Sequence, residues 1–210
     1  MIDKSIEFSF KDSLVPKKEL KLIENKLTSE VENMKRASYL DYENNRCSIN
    51  LPDDRTHLKK TRTVISELLR DRPKYLIVIG IGGSSLGTMA VQKAIFGKFY
   101  NHLESEIKII YLDNVDSDSV TDTLRIIEPV LKKGENIVVN AVSKSGVTIE
   151  TIANFEIIIG LLRKYKKNYE KYVVVTTNKD SPLWNFGFVR GFNVLEIPKK
   201  VEGRYSVFSP

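Results

Sequence analysis

Cysteine, histidine and tryptophan are nearly missing from this 210-residue sequence, which holds one Cys, two His and one Trp. A lone thiol, Cys47, excludes an internal disulfide, and no Cys or His stands near it at a metal-ligand spacing. With 11 glycines and 7 prolines, neither a collagen-like nor a low-complexity architecture is open. Long hydrophobic runs are missing too: the stretch from Tyr75 to Gly83 is far too short to span a bilayer. The start, Met1-Ile2-Asp3-Lys4, lacks the charged-then-apolar pattern of a secretory signal, so the expected compartment is the cytoplasm. No internal repeat and no flexible linker is visible.

What is present is a globular mixture, 41% hydrophobic and 29% charged. Lys and Arg number 33 against 27 Asp and Glu, a formal net charge of +6. The two signs are interspersed, and the dense basic clusters, Lys164-Lys166-Lys167 and Lys199-Lys200, are short. That pattern describes a lysine-rich solvated surface, with neither nucleic acid nor membrane expected as a partner.

The first third reads as helical. Leu20, Ile23, Leu27, Val31 and Met34 recur at steps of three and four behind Pro16. A second helix places Leu58, Ile65, Leu68 and Leu69 on one side and ends before Pro73. From Lys74 the texture changes to short Ile- and Val-rich runs at Tyr75–Ile79, Ile107–Leu112, Asn136–Val142, Tyr172–Thr176 and Asn193–Ile197. Runs without strict alternation are what strands buried on both faces look like. Between the first four lie amphipathic segments marked by Leu86 and Met89, by Val120 and Leu124, and by Phe155 and Ile159. The fold class this predicts is α/β, a parallel sheet with helices on both faces, preceded by a helical N-terminal arm of about 70 residues.

In such sheets ligands bind beyond the carboxyl ends of the strands. After the first strand comes Gly80-Ile81-Gly82-Gly83-Ser84-Ser85-Leu86-Gly87. Glycines there permit a tight turn and let backbone N–H groups reach an anion, and Ser84 adds a hydroxyl. The dinucleotide fingerprint G-x-G-x-x-G is a near miss, because Ser85 stands where its last glycine belongs. Asp113, after the second strand, could serve as the ribose-binding acid of that alternative.

After the third strand comes Ser143-Lys144-Ser145-Gly146-Val147-Thr148, running into a helix. Ordinary N-capping explains one hydroxyl, but not three together with an ammonium. The set suits a phosphate dianion held by charge-assisted hydrogen bonds and the helix dipole. It is not the P-loop G-x-x-x-x-G-K-[ST], which occurs nowhere in the chain. Two anion-friendly turns at neighbouring strand ends suit one phosphate bridged between them, as on a phosphorylated sugar. Near the end lies Glu202-Gly203-Arg204-Tyr205-Ser206-Val207, where Arg204 could stabilise an oxyanion.

Taken together, GIGGSSLG, SKSGVTIET and GRYSV, in this order over roughly Asp71 to Pro210, resemble the glucose-6-phosphate isomerase (phosphoglucose isomerase) family. The resemblance implies a three-layer αβα sandwich with a five-stranded parallel sheet, the sugar-isomerase domain, over residues 71–210. It assigns residues 1–70 to an arm that packs with the family's larger second domain. It makes Ser84, Ser143, Lys144, Ser145 and Thr148 the cradle for the sugar's phosphate and Arg204 the catalytic arginine. The reaction implied is aldose–ketose isomerisation of glucose 6-phosphate and fructose 6-phosphate through a cis-enediol. No metal or organic cofactor is implied, and the full-length family is expected to be a homodimer.

Two departures stand out, one at Glu202 and one at Lys199-Lys200, the latter pair standing where the family usually has acidic or small residues. Glu202 occupies a position where the family has a glycine, and it could pair with Arg204 or point outward. The positions at which the family carries its glutamate base, ring-opening histidine and late lysine fall beyond Pro210, so the resemblance implies a fragment that binds sugar phosphate but is inactive alone. Glu150 is expected to support its helix start rather than act as a base, and His57 and His102 to be solvated surface groups. The alternatives are a stand-alone sugar-phosphate-binding regulatory module and a nucleotide-binding oxidoreductase.

Overall fold

The computed structural model describes Ser9 and residues 11–210; the Met1–Lys4 start lies outside the described residues. The chain runs through α1 (Lys17–Ala37), α2 (Arg55–Leu69), β1 (Tyr75–Ile79), α3 (Leu86–Phe96), β2 (Lys108–Leu112), α4 (Ser117–Lys132), β3 (Ile137–Ser143), α5 (Ile149–Tyr165), β4 (Val173–Thr177), α6 (Pro182–Arg190) and β5 (Asn193–Glu196). All four strand pairings are parallel. The sheet order is β2-β1-β3-β4-β5. Every strand expected from the Ile/Val runs is found, with ends displaced by a residue or so.

Side chains alternate between the two faces of each strand and define two cores. On one face Ile77, Ile79, Val139, Ala141, Val173 and Val175 meet Ile127 and Leu131 of α4, Phe155, Ile158 and Leu162 of α5, and Leu183 of α6. On the other, Val138, Val174 and Leu195 meet Val64 and Leu68 of α2. Each fully buried Ile or Val contributes about 1.5–3 kcal/mol of transfer free energy, so the five Ile and Val residues of these central strands anchor the fold. The α2 helix is thus a layer of the sandwich and not only part of an arm. By contrast, the stripe predicted on α1 stays about half exposed, with Ile23 at 48% and Leu27 at 51%. Among the described residues no helix is long and apolar enough to cross a membrane.

The strand order fixes where a ligand can enter. From β1 the chain crosses outward through α3 to the edge strand β2, then returns through α4 to β3 on the other side of β1. Right-handed crossovers in opposite directions place their helices on opposite faces. The crevice of such a sheet opens where the direction reverses, between the carboxyl ends of β1 and β3. Ile79, the last residue of β1, pairs with Ala141 of β3, so the turns that follow are neighbours.

One element escaped the sequence reading. The α6 helix spans nine residues between β4 and β5. Its signal was present as Ser181-Pro182: the serine Oγ accepts the Trp184 N–H at 3.1 Å, and proline opens the first turn.

Candidate functional site

The turn after β1 is a short 3-10 segment, Gly82–Ser84, followed by Ser85 at the N-cap position of α3. Ser85 is fully buried, with its hydroxyl 3.5 Å from the Gly82 carbonyl oxygen. Ser84 is half-buried, and among the described residues its Oγ has no hydrogen-bond partner. No side chain caps α3.

The turn after β3 is held from within. Ser143, only 1% exposed, shares a 2.9 Å hydrogen bond with the Thr148 hydroxyl and accepts the Gly146 N–H at 3.1 Å. Gly146 adopts φ +69°, a left-handed conformation that favours glycine, and a Cβ there would lie 2.5 Å from Ser181 Oγ. The Lys144 carbonyl accepts the Asn178 N–H at 3.1 Å, which ties the turn to the segment after β4. Ser145 is exposed and accepts the Val147 N–H at 3.3 Å. Thr148 holds the N-cap position of α5, but its hydroxyl faces Ser143, and no side chain caps the helix. Thr151, in the first turn of α5, is buried, and its hydroxyl has no partner among the described residues. Polar capacity at this helix start therefore exceeds what the protein itself uses.

These positions divide the five predicted phosphate residues. Lys144, Ser145, Thr148 and Ser84 retain some exposure, whereas Ser143 lies inside the turn and shapes it. Sequence alone could not rank the three hydroxyls, because which one turns inward depends on backbone dihedrals across the turn.

The third motif crosses the first two. After β5, Val201 is fully buried against Cys47 and Leu51, which anchors the following 3-10 turn, Gly203–Tyr205. Burial pushes the Cys47 thiol pKa up, so this cysteine serves as a small apolar packing group. The Gly203 backbone lies directly over the β1 turn: a Cβ on Gly83 would come 2.5 Å from the Gly203 carbonyl and 2.8 Å from the Arg204 nitrogen. Only glycine admits that approach. Arg204 is exposed, its guanidinium 5.0 Å from the Tyr205 ring centroid. The Tyr205 side chain, with a smaller share from Glu202, holds the arginine pKa above its usual value. Among the described residues Glu202 forms its ion pair with Lys144, at 3.7 Å, and none with Arg204. The motif therefore touches the β1 turn through Gly203 and the β3 turn through Glu202.

The remaining polar groups fall elsewhere. Glu150 is exposed in the first turn of α5, and Asp113 is exposed just past β2. His102 is exposed, but His57 overturns its expectation: its side chain is 20% exposed, and Nδ1 pairs with Asp54. Asp54 caps α2 and also accepts the Tyr42 hydroxyl at 2.6 Å. Burial opposes its charge, but the hydrogen bonds of Tyr42 and His57 prevail and hold its pKa below the usual carboxylate value. These residues line a cleft of about 760 Å³ between the end of α1 and the start of α2, and no residue of the β1 or β3 turns lines it. The sequence carried a signal for this, an Asp at a helix start three residues before a His.

A doubly wound parallel sheet with hydroxyl- and glycine-rich turns at its point of reversal defines the α/β class, with the turns at that point of a composition suited to an anion. The family model described as phosphoglucose isomerase matches residues 70–210, and the chain belongs to that family. It is 34% identical over 167 residues to the glucose-6-phosphate isomerase of Thermus thermophilus, covering 77% of this chain and 36% of that protein. To the enzyme of the same name from Mycoplasmopsis synoviae it is 26% identical over 208 residues, covering 97% of this chain and 46% of that one. Among solved structures, a hypothetical protein from Thermus thermophilus superposes with TM-score 0.59 at 30% identity, over 85% of this chain and 43% of that chain. A glucose-6-phosphate isomerase from Chlamydia trachomatis gives TM-score 0.59 at 28% identity, over 73% and 27%. The chain spans about a third of the length of the first curated relatives it matches.

Proposed function

We propose that this chain binds the phosphate of a hexose 6-phosphate at the β1 and β3 turns, as the sugar-phosphate-binding portion of a glucose-6-phosphate isomerase. One observation carries the reading: the Glu202–Arg204 segment lies across both turns, so three motifs remote in sequence form one surface. On that surface the Lys144 ammonium, the Ser84, Ser145 and Thr148 hydroxyls and the uncapped first-turn N–H groups of α5 converge on an anion, with Ser143 bracing the turn. A dianion there gains several charge-assisted hydrogen bonds and the favourable end of the helix dipole.

The chemistry assigned to Arg204 follows from charge. Moving a proton between neighbouring sugar carbons passes through an enediolate, and a guanidinium placed near the developing oxyanion lowers that barrier, by about 3 kcal/mol for one well-placed donor. A general base must come within hydrogen-bond reach of the proton it removes. Glu150, exposed at the helix start, is better suited to stabilising the helix than to that task. Proton transfer is therefore assigned to polypeptide corresponding to the rest of the relatives' length, and turnover is separable from binding. The proposal places the protein among cytoplasmic enzymes of hexose phosphate metabolism.

Calorimetric titration with glucose 6-phosphate tests the assignment. The 210-residue chain is expected to bind it and not glucose, and Lys144→Ala to weaken binding by about tenfold while leaving the circular dichroism spectrum unchanged. Equal affinity of the variant and the parent would remove the loop from the site, and isomerisation by the chain alone would refute its assigned inactivity.

A further inference from the structure

Lys144 already has an anion beside it. Its ammonium lies 3.7 Å from Glu202 Oε2, with the two side chains 27% and 52% exposed. Glu202 directly precedes the Gly203–Tyr205 turn, which rests on Gly83 and carries Arg204. A phosphate arriving at Lys144 therefore meets a carboxylate on the same cation, and two anions sharing one ammonium repel each other. The segment bearing that carboxylate is also the segment bearing the arginine.

We propose that Glu202 is an internal competitor for Lys144, displaced when a phosphorylated ligand binds, so that occupation of the β3 turn releases the segment that positions Arg204. This rests on the sugar-phosphate reading of the site and assigns Glu202 as a positioning residue, acting through Lys144 and not on the sugar. The latch is weak by construction. Both partners are partly solvated, and such pairs shift an equilibrium by no more than about fivefold. A weak latch suits the role, since a tightly buried pair would exclude the ligand.

The decisive comparison is Glu202→Gln, which keeps shape and removes charge, titrated beside the parent chain with glucose 6-phosphate and with inorganic phosphate. At about 50 mM salt the variant is expected to bind both about two- to fivefold more tightly, and at about 500 mM salt, where exposed charges are screened, the gain should shrink toward none. Glu202→Asp, which retains the charge, should return affinity toward that of the parent. Equal or weaker binding by Glu202→Gln at low salt, with the parent still binding, would overturn the latch while leaving the site in place. A gain that ignores salt would also overturn it, by pointing to packing instead of charge. Binding of neither ligand to either protein would overturn the sugar-phosphate reading and the latch with it.

Discussion

The helices of the sheet begin in two different ways. At α2, α4 and α6, the side chains of Asp54, Asp116 and Ser181 accept first-turn N–H groups. At α3 and α5, residues of equally good capping type, Ser85 and Thr148, stand at the N-cap position and make no cap. The uncapped pair follows β1 and β3, on either side of the reversal point, whereas α4 and α6 follow β2 and β4, the strands that flank that pair. A sixth start, at α1, is also uncapped, but it opens with the exposed Pro16 and belongs to no strand end. Capping satisfies N–H groups that would otherwise need another acceptor. At α3 and α5 the fold leaves them open beside a crevice and turns the available hydroxyl elsewhere, which is what the proposed phosphate site would require.

The contrast can be broken most forcefully by removing one hydroxyl from each class. Ser181→Ala deletes the acceptor of the Trp184 N–H and the partner of Thr177 Oγ1 at 2.9 Å. It should cost about 1–2 kcal/mol, read from the urea midpoint. Thr148→Ala removes no cap and should cost only about 0.5 kcal/mol, while weakening glucose 6-phosphate measurably. If Thr148→Ala were the more destabilising of the two, α5 would be capped after all and the distinction lost.

A smaller effect sharpens the capped side. The Ser119 hydroxyl first, then the N–H groups of Asp118 and Ser119, hold the Asp116 pKa below its ordinary value of 3.8. A carboxylate whose folded pKa is depressed contributes stability that is present above the unfolded value and is lost as pH falls through the folded one. Asp116→Asn keeps a capping oxygen and loses the titration. Between about pH 5 and pH 2 its unfolding temperature should therefore fall less steeply than the parent's. Parallel curves would mean that the charge at this helix start contributes nothing.

Much of this was legible in the sequence. The Ile- and Val-rich runs mark all five strands, most plainly the largely buried β1, β3 and β4, and the glycine and hydroxyl turns mark the two strand ends at the reversal point. What escaped depends on contacts between segments far apart or on single dihedrals. Glu202 was weighed against its near neighbour Arg204, yet the fold brings it to Lys144. His57 has the composition of a surface residue, and only the Asp54 cap and the Tyr42 ring, 5.7 Å from its own, draw it inward. The α6 helix is too short to show periodicity, although Ser181-Pro182 announces its start.

The most direct measurement is the amide map of the isotopically labelled chain by two-dimensional nuclear magnetic resonance during titration with glucose 6-phosphate. The account predicts that the N–H signals of Gly82–Ser85 and Ile149–Thr151 move together and saturate at one ligand concentration, while the capped starts at Asp118–Ser119 and Trp184 stay in place. Shifts centred on the capped helix starts, or on the cleft around Tyr42 and His57, with the β1 and β3 turns unmoved, would contradict it.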